Sequence, residues 1–156
     1  MQLTTAKDLA KYSLAVKETL KWPLWIWFLI LSLDISIALA VWAALGEIAV
    51  WIALILTLAL TGFFYQFTKL RIEFVNEKLK VGRAQIEKKY LAGVEPLNEE
   101  QMRHLRGPGI NPAAFLALRF WVKGGIKITL NDQRDPTPYW LVSTKNPEKL
   151  KTAIED

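Results

Sequence analysis

The stretch FLILSLDISIALAVW carries a single carboxylate, Asp34, in an otherwise apolar run, and no residue in the chain has more chemistry to offer. It lies 12 residues after Trp22 and 11 before Leu45, in a segment with no other charge. An ionised carboxylate in an apolar medium costs several kcal/mol, so Asp34 must be neutralised or paired. Three arrangements meet that demand: a hydrogen bond within the chain, a polar contact with another membrane subunit, or a step in a proton or ion relay. A relay normally needs several polar groups in series, and only a few exist here, Thr57 and Thr61 among them. Those two are four residues apart and share one helix face. If the chain folds back at 46–47, Asp34 falls level with residue 59, between them. The spacing therefore predicts that Asp34 hydrogen-bonds Thr57 or Thr61 and fixes the packing of two helices.

Other reactive groups are sparse. Cysteine is absent, which excludes disulfides, a thiolate nucleophile and cysteine-held metal. The lone histidine, His104, sits in a polar helical stretch with no nucleophile near it in sequence. Asp132 and Asp135 could suggest a hard cation, but calcium needs six to eight oxygens in an organised loop. NDQRDPTP reads better as turn chemistry, with proline fixing φ. No glycine-rich loop follows a strand and opens a helix, so nucleotide or other cofactor binding has no signature. The chain reads as non-enzymatic. One surface is a candidate for recognition. A three-residue loop Lys123-Gly124-Gly125, with glycine at positive φ, would pair Val122 with Ile126. Leu118, Phe120, Val122, Ile126, Ile128 and Leu130 would then fill one face, leaving Arg119, Trp121 and Lys127 on the other. Arginine and tryptophan are common anchors, so that face is a candidate for lipid headgroups or a partner protein.

The elements that would position these groups follow from the charge distribution. Of 35 charged residues, only Asp34 and Glu47 fall within 22–68, and 52% of the chain is hydrophobic. Spans over 22–45 and 48–67 are each long enough to cross a hydrocarbon core of roughly 30 Å. Gly46 and Glu47 alone separate them, so residues 22–68 are expected to form a transmembrane helical hairpin. Trp22, Trp25 and Trp27 lie at one end with Phe63, Phe64, Tyr65 and Phe67, and Trp42 and Trp51 flank the tip, as in interfacial aromatic belts. Lys7, Lys11, Lys17 and Lys21 precede the first span, and Lys69, Arg71, Lys78 and Lys80 follow the second. The basic flanks predict a multi-pass protein of the inner (plasma) membrane with both termini cytoplasmic. The formal charge of +5 then points to anionic inner-leaflet lipid rather than nucleic acid.

Residues 1–21 read as an interfacial amphipathic arm. Thr5 and Asp8 have capping-box spacing, and Leu9, Tyr12, Val16 and Leu20 recur on one face of a helix over 4–21. Residues 69–156 switch to period two. In LRIEFVNEKLKVG, a turn at Asn76-Glu77 pairs Phe74 with Leu79, Ile72 with Val81 and Glu73 with Lys80. Asn98 caps a short helix that ends before Gly107. YWLVST is a last strand, with Tyr139 and Trp140 on opposite faces. Pro147 then opens a helix whose Leu150, Ala153 and Ile154 form one stripe. About seven antiparallel strands closed by one C-terminal helix is the expected α+β layout.

NPAAFLALRFWVKGGIKITL followed by DPTPYWLVSTKNPEKL resembles an uncharacterised actinobacterial family of small two-span membrane proteins, a domain of unknown function. The likeness spans nearly everything after Trp22 and rests on Asp135, Pro136, Pro138, Tyr139, Trp140 and Pro147. It implies an architecture and no activity. More distantly, the soluble part is similar in layout to bacterial PH-like domains. Together these imply an adaptor that presents a basic domain to a protein partner or to anionic lipid. The alternative is an accessory subunit of a larger membrane complex, for example a transporter, docked through the hairpin and Asp34.

Overall fold

The computed structural model describes residues 16–132 and 134–155. They form two compact units: a helical hairpin over Lys21–Lys69, and a body that includes residues 16–20 and 70–155.

In the hairpin, α1 covers Leu24–Leu45 and α2 covers Glu47–Thr68, and both are long and apolar enough to cross a membrane. Only Ile26 is fully buried in the pair. The bounds differ slightly from 22–45 and 48–67. Pro23 is extended and acts as the N-cap, leaving Trp22 outside α1, where its ring meets Trp27 at 5.4 Å and Tyr65 at 5.2 Å. Gly46 is the whole link, since Glu47 already belongs to α2. Its φ of 84° and ψ of −174° lie in a region almost closed to side-chain-bearing residues, so glycine is what lets the chain reverse in one residue.

Among the described residues the body contains eight strands, against about seven expected for 69–156, and the additional one precedes the hairpin. β1 (Val16–Leu20), β2 (Leu70–Val75), β3 (Lys78–Val81) and β4 (Ala84–Glu87) form an antiparallel sheet in that order. A single 3-10 turn leads into β5 (Leu91–Leu97), then α3 (Glu99–Arg106), β6 (Phe115–Ala117), β7 (Gly125–Leu130), β8 (Tyr139–Ser143) and α4 (Pro147–Glu155). The second sheet has the order β5-β7-β8-β6. Its β6–β8 pair is parallel, so the body is not wholly antiparallel.

Local chemistry explains much of this. β2 and β3 pair as the alternation predicts, Ile72 with Val81, Glu73 with Lys80 and Phe74 with Leu79. Asn76 and Glu77 have φ of 53° and 59°, the type I′ signature that suits the twist of a two-residue hairpin. Asparagine adopts that conformation readily and glutamate only at a cost, so Glu77→Gly should stabilise the chain by about 1 kcal/mol. A higher Tm by thermal unfolding of the detergent-solubilised protein is the expected readout, and an unchanged or lower value would show the turn is not strained. Asn98 caps α3 reciprocally with Gln101, both bonds at 2.9 Å. Leu150, Ala153 and Ile154 are buried, and α4 packs on β1, β2, β5 and β7.

Two expectations are overturned. The helical arm over 4–21 fails at its C-terminal end, where Val16–Leu20 is a strand; Thr5, Asp8, Leu9 and Tyr12 lie outside the described residues. Val16, Glu18 and Leu20 point inward while Lys17 and Thr19 point out, a period-two pattern that β2 captures by pairing Leu20 with Leu70 and Val16 with Phe74. The body therefore does not begin at residue 69. It takes a strand from the segment ahead of α1.

The second correction concerns 118–130. β7 already has β5 on one side and β8 on the other, so no edge is left for a strand over 118–122. The chain turns there instead, the Val122 amide donating to the Arg119 carbonyl at 3.0 Å. Phe120, expected inward, is 70% exposed. Neither Gly124 nor Gly125 has positive φ.

Candidate functional site

Three groups of residues could carry function. In the hairpin, Asp34, Thr57 and Thr61 are all half-buried and lie on the facing sides of α1 and α2. Trp27 meets Tyr65 with ring centroids 5.3 Å apart. Asp34 follows Trp27 by seven residues and Thr57 precedes Tyr65 by eight, so Asp34 and Thr57 are level to within about one residue at 1.5 Å rise each. Thr61 lies roughly a turn away. The expected hydrogen bond is not formed: the Thr57 hydroxyl donates to the Leu54 carbonyl of its own helix at 3.2 Å. Among the described residues, no hydrogen bond or ion pair engages Asp34. It borders an apolar groove of about 410 Å³ whose walls include Leu31, Ile35, Trp42, Leu54 and Leu58.

The second group, Arg119, Trp121 and Lys127, is not gathered on one strand face. Lys127 is on β7, its Nζ 3.8 Å from the Glu95 carboxylate and 5.3 Å from the Tyr139 ring. It opens on a cleft shared with Glu100, Gln101 and His104. Arg119 and Trp121 belong to the β6–β7 loop. The Arg119 amide donates to Ser143 Oγ at 3.0 Å, its Nη1 donates to the Leu118 carbonyl at 2.7 Å, and burial pushes its guanidinium below the usual arginine value. Trp121 packs on the main core with its indole N–H buried and without an acceptor, and its ring meets Phe120 edge-on at 4.8 Å. Sequence reasoning missed Phe120. No local signal marks it, since the occupation of both edges of β7 follows only from the strand order.

The third group is the DPTPYW motif. Most of it holds the body together. The Asp135 carboxylate accepts from the Thr137 amide at 2.9 Å, and the Pro138 carbonyl accepts from Leu130 at 3.1 Å. Pro136 is exposed in this turn, and Pro147 opens α4. Tyr139 and Trp140 do occupy opposite faces, yet neither is exposed, at 9% and 5%. Trp140 lies in the main core against Phe115 at 4.8 Å. Tyr139 packs with Leu97, Met102 and Leu141 beneath α3, and its hydroxyl accepts from the Asn111 amide at 3.3 Å.

Asp135 and Trp140 also border a cleft of about 400 Å³ with Lys78, Glu87, Tyr90, Asp132 and Arg134. Its charges are largely satisfied. Lys89 Nζ is 2.7 Å from Glu87, and Arg134 is 3.1 Å from Asp132 while also donating to the Tyr90 hydroxyl at 2.7 Å. Lys89 holds the Glu87 carboxyl below its ordinary value, Arg134 does the same for Asp132, and the hydrogen bonds from Thr137 do so for Asp135. No group of three His, Cys, Asp or Glu side chains that could hold a metal occurs among the described residues.

Residues 15–154 match the family described as Protein of unknown function (DUF3093). No curated protein and no solved structure matches the chain.

Proposed function

Since the chain belongs to the DUF3093 family of unknown function, we propose from its own geometry that it is a non-enzymatic membrane adaptor. The apolar hairpin spans the inner membrane, and the basic body works at the cytoplasmic face, holding a protein partner with help from anionic headgroups. Strands closed by a C-terminal helix are also the layout of PH-like domains. The observation that carries the reading is the pairing of Leu20 with Leu70. One strand precedes α1 and its neighbour follows α2, so both ends of the hairpin must be on the same side of any bilayer it crosses. The surfaces of α1 and α2 agree, with large side chains such as Phe28, Ile48 and Ile55 mostly exposed. Lysine on the flanks sets that side as the cytoplasm. The native chain has no cysteine, so single cysteines at Glu77 and Glu148 can be probed with a membrane-impermeant maleimide. Labelling only after the cells are opened supports the reading; labelling of intact cells overturns it.

A second reading, an accessory subunit of a larger membrane complex, is favoured by Asp34. A carboxylate with no partner among the described residues, beside an apolar groove, suits a transmembrane helix that brings a hydrogen-bond donor or a cation to the same depth. After mild-detergent purification, this reading expects a stoichiometric integral partner that Asp34→Leu releases. A partner retained by Asp34→Leu, or one that is purely cytoplasmic, returns the balance to the adaptor.

A further inference from the structure

We infer that the β6–β7 loop, residues 118–124, is a membrane-interface anchor in which Phe120 enters an anionic bilayer surface. The inference deepens the proposed function and rests on its membrane reading. The loop is built to present one aromatic ring outward. Its turn is closed by the Val122 amide on the Arg119 carbonyl, and the Arg119 amide is held by Ser143 Oγ, a fully buried group. Trp121 is committed to the core, which leaves its neighbour Phe120 directed away from it at 70% exposure. Among the described residues of the body Phe120 is the most exposed large hydrophobic side chain, ahead of Ile110 at 42% and Leu116 at 38%, and aromatic rings favour the headgroup level of a bilayer.

The loop's place in the body supplies the occupant. The Thr144 amide donates to the Gly124 carbonyl at 3.4 Å. Glu18 of β1 accepts from the Thr144 hydroxyl and, at 2.9 Å, from the Lys145 amide. Glu18 is two residues before Leu20, after which the chain runs into α1. The loop thus belongs to the end of the body from which the chain leaves for the hairpin. Exposed Lys17 and Lys145 lie beside these contacts, giving a cationic rim that suits anionic headgroups. Lys123 is engaged with Glu99 at 3.2 Å. Lys69 alone joins α2 to β2, so a bilayer holding the hairpin is present to this loop at high effective concentration.

The test uses the full chain with one cysteine introduced at a time by Phe120→Cys, Glu77→Cys or Leu29→Cys, labelled with a fluorescent nitrobenzoxadiazole. Each is reconstituted in nanodiscs of phosphatidylcholine and phosphatidylglycerol. Position 120 is exposed, so the substitution leaves the core intact. The expected result is that iodide quenches the label at 120 at least about threefold less than that at 77, while a headgroup-proximal nitroxide lipid quenches it more. Equal iodide quenching at 120 and 77, with the label at 29 protected, overturns the anchor while leaving the hairpin in the membrane. Iodide access at 29 as well overturns the membrane reading and the anchor with it.

Discussion

A fragment beginning at residue 69 should not fold, whereas a chain in which residues 21–69 are replaced by Asn-Gly should give a folded, water-soluble body. The first half of this expectation follows from what β1 contributes. Leu20 is completely buried, and full burial of a leucine is worth about 2–3 kcal/mol. Glu18 accepts two hydrogen bonds, one from a hydroxyl that is itself inaccessible to water, and charge-assisted bonds of this kind contribute about 1.5–3 kcal/mol each. A loss on the order of 5 kcal/mol rivals the whole stability of a small domain. It would also leave β2 as a bare edge with Ile72 and Phe74 uncovered on one side. The second half follows from register. Leu20 lies directly opposite Leu70 in an antiparallel ladder, so a two-residue Asn-Gly turn can close the pair as a type I′ hairpin. Dispersed amide signals in a proton–nitrogen spectrum of the closed chain, and collapsed ones for the fragment, are the expected pair of results. A well-dispersed spectrum from the fragment would show that β1 is dispensable.

Gly125→Ala should lower Tm by about 10 °C, with Gly124→Ala nearly silent. A Cβ at 125 would sit 2.7 Å from the Val142 carbonyl oxygen and 2.6 Å from Met102 Sδ. The methionine tip can swing aside, but the carbonyl is part of β8 and cannot move without disturbing the sheet. Overpacking of this type costs about 1–3 kcal/mol, and each kcal/mol shifts Tm by about 4–8 °C in a domain of this size. At 124 the nearest atoms to an added methyl are 3.6 and 3.7 Å away, an ordinary contact. Thermal melts of the three detergent-solubilised proteins decide the matter, and equal Tm values for both variants would contradict the packing seen between β7 and α3.

The legible parts of this fold were those fixed by local rules. The β2–β3 register, the Asn98 cap and the buried stripe of α4 each depend on residues within a few positions of one another, and each was correct. The length and composition of the two long helices were equally plain. What failed depended on distant partners. Val16 and Leu20 satisfy helical spacing and strand alternation alike, and only the presence of β2, some fifty residues later, selects the strand. Phe120 looked inward because a neighbouring hairpin partner was assumed for β7, while the actual neighbours are β5 and β8. The same error dispersed the Arg119, Trp121 and Lys127 face. The DPTPYW motif was distinctive in sequence, yet most of its side chains serve turns and core contacts. Asp34 is half-buried in the hairpin, and no spacing rule could say that Thr57 would direct its hydroxyl to its own helix rather than to that carboxylate.

The pairing of Leu20 with Leu70 also bears on how the protein is made, if the hairpin enters a bilayer as proposed. Val16–Leu20 leaves the ribosome first and must wait, unpartnered, until the second greasy helix has been delivered and β2 emerges behind it. Should that helix stall short of its crossing, the two strands would be stranded in opposite compartments and the body would stay unfinished. In a chain so inserted, the β1–β2 ladder could close only after both helices had crossed, so a mis-threaded copy would be left with an unfolded body.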